Sequence, residues 1–221
     1  MTRLKKLISY LYPIRVKQIP SSRSGQLEIT MVNGKLLIDA EHVNYSYGNL
    51  QKALKKGLTA IGETKLNSFK NILVLGVAGG SVIETIRRDF KLHIPITGVE
   101  IDADVIGLAN EYFNLDKAQN LDLKIDDAFD YISNTKDTFD LIIVDIFNDE
   151  QMPDNLFNKV FWVDIYKTLN SNGVCLFNSI VSSNREIERN QQLHKLNKGI
   201  FKSIQRIKTQ KINELFILER D

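Results

Sequence analysis

The chain is poor in the residues that build disulfide scaffolds and metal centres. Its 221 residues include a single cysteine, Cys175, and three histidines that lie far apart, His42, His93 and His194. One thiol excludes a disulfide framework and a cysteine-based zinc site within the chain. Separated histidines argue against a His-cluster metal site, so we expect no bound metal. We expect Cys175 and His42 to have structural roles.

Long apolar runs and an excess of either charge are also missing. No run approaches the roughly 20 apolar residues that a membrane-spanning helix needs. The 29 basic and 27 acidic residues leave a net charge of +2, which gives no general attraction to nucleic acid or to an anionic membrane. A basic tract between Lys195 and Lys211 is interpreted as a solvated face. We therefore expect a cytoplasmic protein with neither nucleic acid nor a membrane as partner.

The N-terminal part is predicted to form an accessory unit. Apolar residues at helical spacing predict a short amphipathic helix at the N-terminus, which would pack on its own domain or on a partner subunit. Docking to a membrane surface is the alternative. Two strand-like runs in 26–40 flank Asn33-Gly34, a pair that tolerates the positive φ of a tight hairpin turn. The polar segment 18–25 is predicted to be a loop, and residues 46–61 to be a helix.

The rest of the chain alternates buried strands with helices. The predicted strands span 72–77, 94–99, 121–125, 139–146 and 174–180, and the predicted helices span 82–90, 103–113, 128–133, 155–169 and 184–199. Such alternation indicates a parallel sheet with helices on both faces. Runs at 203–209 and 212–219 lack an intervening helix, which predicts a closing hairpin with one antiparallel edge strand. We expect an α/β fold with a Rossmann-like sheet of the class I methyltransferase type over 63–221, and the N-terminal helix, hairpin and connecting helix in 1–62.

The glycine-rich segment after the first of these strands is a candidate ligand loop. In such sheets ligands bind beyond the carboxyl ends of the strands, where the strand order reverses. Glycines at 76–80 let a ligand approach the backbone at the start of a helix. Ser81 and Glu84 match a capping box, which predicts where that helix begins. The dinucleotide fingerprint G-x-G-x-x-G is not met, because Ala78 stands at its second glycine, and this disfavours an NAD-dependent oxidoreductase.

Acidic residues follow the next three strands. Glu100 is placed to accept both ribose hydroxyls of an adenosine, whereas Asp102 fits a helix N-cap better. Asp127 is placed to accept a hydrogen bond from an adenine amino group; an N-cap role is the alternative, and the two roles can be shared between Asp126 and Asp127. Asp145 ends a buried apolar strand, and a buried carboxylate needs partners or a functional role. We interpret Asp145 as functional, with a structural hydrogen bond as the alternative, and Asp140 at the other end of that strand as structural.

Several segments together resemble the spermidine synthase family, the polyamine aminopropyltransferases, and especially its short spermidine-synthase-like branch. The segments that carry the resemblance are ILVLGVAGGS, GVEIDADVIGLANEYF, IDDAFDYI and FDLIIVDIFND. The hairpin followed by 44–47 resembles the N-terminal β element and the substrate-covering tyrosine segment of the family. The resemblance extends from about Leu27 to Ile180.

The resemblance implies roles for particular residues. Asp145 would be catalytic and Tyr47 would orient the substrate. The implied cofactor-binding residues are Gly76, Ala78, Gly79, Gly80, Glu100, Ile101, Asp126, Asp127 and Ala128. The co-substrate would be S-adenosylmethionine or its decarboxylated form, the acceptor a small amine such as a polyamine, and the assembly a homodimer.

The chain departs from the family pattern at the acceptor side. Ala78 stands where the family usually has an aspartate for the amino group of the cofactor tail, and Asn148 replaces a second aspartate near the polyamine. Gly48 and Asn49 follow the tyrosine in place of Gln and Glu. These losses weaken the case for a cationic diamine, so aminopropyl and methyl transfer both stay open. The alternative is a nucleoside-binding module of the same fold without transferase activity.

Overall fold

The computed structural model describes residues 3–40, 43–44, 49–147, 152–209 and 212–221. The strands are β1 Ile14–Ser21, β2 Gly25–Val32, β3 Lys35–Ala40, β4 Val43–Asn44, β5 Ile72–Leu75, β6 Ile96–Glu100, β7 Leu121–Ile125, β8 Phe139–Val144, β9 Leu169–Ile180, β10 Ser203–Lys208 and β11 Asn213–Glu219. The helices are α1 Arg3–Ile8, α2 Asn49–Ile61, α3 Glu63–Ser68, α4 Ser81–Arg88, α5 Ala103–Phe113, α6 Ala128–Asn134, α7 Lys159–Thr168 and α8 Asn184–Asn197. Within these ranges no helix is long and apolar enough to cross a membrane.

The N-terminal strands form an antiparallel sheet in the order β1-β2-β3-β4. The predicted hairpin turn is confirmed, since Asn33 and Gly34 have φ values of 50° and 74°. The predicted loop over 18–25 is wrong in its first half, because β1 continues to Ser21 and pairs with β2. β1 is half exposed and carries polar residues on its outer side, so its composition resembles that of a loop.

The larger sheet has seven strands in the order β10-β11-β9-β8-β5-β6-β7. Its parallel β5–β9 core and its closing hairpin confirm the predicted α/β class. The antiparallel strand is not at the edge, however: β11 lies between β9 and β10. The physical reason is burial, because the central residues 215–218 of β11 are apolar and buried whereas the residues of β10 are exposed or only partly buried. The more apolar strand therefore takes the interior position.

The junction between α7 and β9 also differs from the prediction. A short 3₁₀ turn at Asp154–Phe157 precedes α7, and β9 begins directly after the helix, at Leu169. Gly173, predicted to break the helix, lies inside β9. A Cβ there would approach the Asn170 carbonyl oxygen to 2.7 Å, so this part of the strand requires glycine for close backbone packing.

The connecting helix α2 packs on the larger sheet. Its Leu54 and Leu58 are fully buried, and a Cβ on Gly57 would lie 2.6 Å from Leu176 Cδ1 of β9. One apolar core joins these side chains to Leu27 of the N-terminal sheet and to the strands of the larger one. The boundary at residue 62 therefore stays a prediction. Cys175 is free and buried, as expected.

Candidate active site

A cavity of about 460 Å³ opens at the carboxyl ends of the parallel strands. It lies where the strand order reverses between β5 and β8, the position expected for a ligand in such a sheet. The predicted site residues that line it are Gly76, Ala78, Glu100, Ile101, Asp127, Ala128 and Asp145. Gly79, Gly80 and Asp126 do not contribute to its described lining. The volume is within the roughly 300–1,000 Å³ of small-molecule sites.

The close approach of two strands explains why the first residue of the loop, Gly76, must be glycine. Gly76 has φ +89°, and a Cβ there would collide with the backbone oxygen of Asp145. Only glycine fits such a position. The predicted capping box is wrong: Gly80 is the N-cap of α4, in the left-handed region, and no side chain caps the helix. Ser81 is already its first helical residue, and Glu84 pairs with Arg88 instead.

Glu100 connects the loop to the next strand. Its Oε2 accepts hydrogen bonds from the backbone N–H groups of Val77 and Ala78, at 3.1 and 2.9 Å, and its Oε1 accepts from that of Asp102 at 3.1 Å. Burial raises the pKa of Glu100 above its ordinary value, and the backbone donors at Ala78 and Asp102 oppose that rise. The carboxylate thus holds the loop in shape while it lines the cavity, where hydroxyl donors of a ligand can reach it.

Asp102 has the N-cap role predicted for it. It is 2% exposed, and its Oδ1 accepts from the backbone N–H groups of Asp104 and Val105. Its Oδ2 also accepts from the hydroxyls of Ser21 and Ser24, both at 2.6 Å. These bonds fasten the β1–β2 turn to the site, where it forms one wall. Sequence reasoning missed this wall, because the contact joins residues that lie far apart in the chain.

Asp127 is the N-cap of α6, the alternative that the sequence left open. Its carboxylate accepts from the backbone N–H groups of Phe129 and Asp130, at 2.7 and 3.4 Å. The residue also lines the cavity, so its adenine role stays a prediction. Asp126 is exposed and accepts from the N–H of Asp127 at 2.8 Å. Its role as a ligand contact likewise stays a prediction.

Asp145 presents its carboxyl group to the cavity from the end of β8. Its Oδ1 accepts a hydrogen bond from the side chain of Asn178 on β9, at 2.9 Å. The pKa of Asp145 is raised to about 7: burial is the largest cause, the hydrogen bond from Asn178 opposes the rise, and the charge of Glu100 adds to it. A carboxyl group with a pKa near neutrality is suited to accepting and releasing a proton at physiological pH.

The other aspartate of this strand is structural, as expected. Asp140 accepts from the backbone N–H of Lys70 and from the side chain of Asn170, at 2.6 and 2.7 Å, at the end of β8 remote from the cavity. Asn178, by contrast, was missed by sequence reasoning. The available signal was a polar residue directly after the buried apolar run 174–177 of β9.

Some predicted positions lie outside the described residues. They are His42, Tyr47, Gly48 and Asn148. The role of Tyr47 and the consequence of the Asn148 departure therefore stay predictions.

The fold and the cavity together define a class: a Rossmann-like protein of the methyltransferase type with a small-molecule site at its strand switch point. Residues 51–212 match the family model described as the spermine/spermidine synthase domain. The chain belongs to this family, which confirms the resemblance seen in its sequence.

Individual relatives agree with that assignment. A polyamine aminopropyltransferase of Buchnera aphidicola is 35% identical over 112 residues, which cover 48% of this chain and 39% of that protein. The match thus spans about two fifths of the relative. A crystal structure of spermidine synthase with the transition-state analogue AdoDATO has a TM-score of 0.75 at 15% identity, covering 94% of this chain and 74% of that one.

Methyltransferase structures share the fold as well. Human methyltransferase-like protein 13, in complex with SAH, has a TM-score of 0.67 at 21% identity, covering 79% of this chain and 83% of that one. Identities this low show the fold alone. The choice between aminopropyl and methyl transfer therefore rests on the chemistry of the site.

Proposed function

We propose that this chain is a transferase that moves an aminopropyl group from decarboxylated S-adenosylmethionine to an amine acceptor. The observation that carries the proposal is Asp145, a carboxyl group with a pKa of about 7 in the same cavity as Glu100. Membership of the spermine/spermidine synthase family supports it. Aminopropyl transfer is favoured over methyl transfer by the charge of the cavity.

The cavity lining is rich in carboxyl groups. Among the described residues, Glu100, Asp102, Asp127 and Asp145 line it, together with one cation, Arg23. Decarboxylated S-adenosylmethionine carries a sulfonium and an ammonium group and has no carboxylate, so its charge complements this lining. The carboxylate of intact S-adenosylmethionine would be repelled by the same groups. In this proposal Glu100 accepts from the ribose hydroxyls and Asp127 from the adenine amino group.

Transfer requires a neutral amine in line with the leaving sulfur. The nitrogen lone pair forms a bond to the propyl carbon next to the sulfonium, the carbon–sulfur bond breaks, and its electron pair stays on sulfur. The product thioether is methylthioadenosine. Asp145 orients the amine and accepts its proton, a contribution of roughly 10²–10⁴-fold, and alignment of the two substrates in one cavity adds several kcal/mol. Tyr47 is proposed to help orient the acceptor, and a polyamine-type amine is the proposed acceptor class.

Parallel calorimetric titrations test the proposal. Decarboxylated S-adenosylmethionine and methylthioadenosine are expected to bind more tightly than S-adenosylmethionine, because only the last carries a carboxylate into the acidic cavity. Putrescine is then added with the decarboxylated donor, and mass spectrometry monitors methylthioadenosine release. Preference for the intact carboxylate would make methyl transfer the better function. Nucleoside binding without turnover of any amine tried would indicate a binding module.

We further propose a homodimer in which two copies meet through the α1 segment. Apolar side chains between residues 4 and 12 are solvent-exposed, namely Leu4 65%, Leu7 67%, Ile8 41%, Tyr10 58%, Leu11 77% and Tyr12 73%. Polar contacts hold the segment in this orientation: Ser9 is 2% exposed, its hydroxyl accepts from the N–H of Gly34 at 2.9 Å and its carbonyl from that of Asn33 at 2.9 Å. The helix is therefore fixed to the hairpin turn with its apolar side chains outward.

The exposed area is of the size that a second copy needs. Side chains of this kind expose on the order of 100 Å² each at these fractions, given about 150–250 Å² for a whole aromatic side chain, so the six offer about 600 Å². That equals the upper end of the roughly 300–600 Å² of the largest apolar patch on a typical monomer. It also approaches the about 800 Å² that each partner buries in a stable interface.

The double substitution Leu7→Glu and Leu11→Glu is expected to convert the dimer into a monomer, because charges would be buried at the interface. Size-exclusion chromatography with light scattering measures the mass. Val160→Glu is the matched control, since Val160 is 65% exposed on α7, away from this segment. A wild-type chain that is monomeric at micromolar concentration would contradict the dimer, and anionic vesicles added to that monomer would test membrane docking instead.

A further inference from the structure

A chain of side-chain hydrogen bonds leads from the cavity to the closing hairpin. Asn178 Nδ2 donates to Asp145 Oδ1 at 2.9 Å, and Asn213 Nδ2 donates to Asn178 Oδ1 at 3.0 Å. Asp145 directly follows β8, and Asn178 and Asn213 lie on β9 and β11, the next two strands of the sheet. Asn178 is fully buried, whereas Asn213 is partly exposed at the start of β11. The hairpin contributes no described residue to the cavity lining.

The direction of these bonds follows from the chemistry of the amide. An asparagine side chain has a donor end and an acceptor end, and a carboxylate only accepts. An ionised Asp145 therefore requires the Nδ2 end of Asn178, which turns its Oδ1 end toward Asn213. Asn213 supplies a donor at that point. If Asn178 turned over, its oxygen would face Asp145, and the contact would be favourable only with a protonated carboxyl group.

We propose that Asn178 and Asn213 are positioning residues, and that Asn213 holds the Asn178 amide in the one orientation that stabilises and aims the ionised Asp145 carboxylate. A hairpin that lines no described part of the site thereby controls the proton acceptor within it. The catalytic consequence rests on the proposed transferase function. The hydrogen-bond chain itself is measurable without turnover.

Other charged groups also lie near Asp145 or near the hydrogen-bond chain. Glu100 at the end of β6 raises the proton affinity of Asp145 through its charge. Across the cavity, the lining also contains Arg23, Asp102 and Asp127. Behind the site, Glu214 follows Asn213 and is paired with Arg206 at 2.8 Å and with the Asn190 side chain at 2.9 Å. None of these described groups interrupts the path from Asn213 to Asp145.

Asn213→Asp tests the proposal by reversing the direction of the chain. A carboxylate at 213 only accepts, so the Asn178 amide must turn and present its oxygen to Asp145. The pKa of Asp145, followed by ¹³C NMR titration of its side-chain carboxyl, is expected to rise by roughly one pH unit or more. In the pH profile of kcat/KM, the midpoint of the rise on the acidic side should shift to higher pH by the same amount. The value of kcat should be largely recovered at high pH, and the KM for the nucleoside donor should be unchanged.

Repeating Asn213→Asp in a second variant separates the effect of the hydrogen-bond chain from that of simple charge repulsion. In Asn178→Leu the amide between the two positions is removed, so Asn213→Asp then acts on Asp145 only through its added charge. The rise in pKa is expected to be several-fold smaller there, and Asn178→Ala replaces the leucine variant if circular dichroism shows that it is unfolded. An equal rise in both backgrounds, or no rise in the single variant, would overturn the proposal. Because the NMR titration needs no turnover, failure of the transferase function leaves this result readable.

Discussion

Asp145→Asn is expected to lower the rate of aminopropyl transfer by roughly 10²–10⁴-fold, because an amide cannot accept the proton of the attacking amine. The substitution keeps the shape of the side chain and the contact with Asn178. Methylthioadenosine, which makes no use of the proton acceptor, should therefore bind with nearly unchanged affinity. Product release at saturating donor and acceptor measures the rate, and calorimetry measures the affinity.

The same strand provides a matched control. Asp140→Asn changes the same residue type at the opposite end of β8, where the carboxylate accepts from the backbone of Lys70 and the side chain of Asn170. Its transfer rate should match that of the wild type. A wild-type rate in Asp145→Asn would remove the catalytic role, whereas equal losses in both variants would point to damage to the strand.

The wild-type protein should show the matching pH dependence. Asp145 accepts a proton only when ionised, and its pKa is about 7 in the folded protein. The value of kcat/KM should therefore rise with pH through about 7. The residual activity of Asp145→Asn should not show this rise with pH.

Glu100→Ala is expected to weaken nucleoside binding by about 1.5–3 kcal/mol, the contribution of hydrogen bonds to a charged group. This corresponds to a roughly 10- to 150-fold increase in the Kd for methylthioadenosine. Two losses combine: the acceptor for the ribose hydroxyls disappears, and the N–H groups of Val77 and Ala78 lose their partner. Calorimetry with methylthioadenosine measures the change.

Two further variants make this result specific. Glu100→Gln keeps one acceptor oxygen and should lose less affinity than the alanine variant. Asp122→Ala removes an exposed carboxylate from the neighbouring strand β7 and should bind as the wild type does. An unchanged Kd in Glu100→Ala would contradict the ribose assignment.

Elements with strong local signals were predictable from the sequence to within a residue or two. The bounds of α5 agree with the prediction, because Asp102 caps its start and Asn114, in the left-handed region, ends it. The β2–β3 turn is likewise set by two adjacent residues with positive φ. Predictions failed where the local structure depends on residues that are neighbours only in space. β1 is a strand because it pairs with β2. Ser81 cannot cap α4, because the N-cap of that helix is Gly80.

From residue 72 onward, the sequence by itself determined the order of strands and helices, and it placed Gly76, Glu100 and Asp145 at or directly after the carboxyl ends of β5, β6 and β8. These are properties of short segments, since hydrophobic periodicity and turn residues act locally. Only the tertiary structure decided what surrounds those residues. The Asn178–Asn213 chain, the close approach of Gly76 to the Asp145 backbone and the raised pKa of Asp145 depend on which strands are adjacent. Burial and cross-strand partners arise only when residues far apart in the chain pack together.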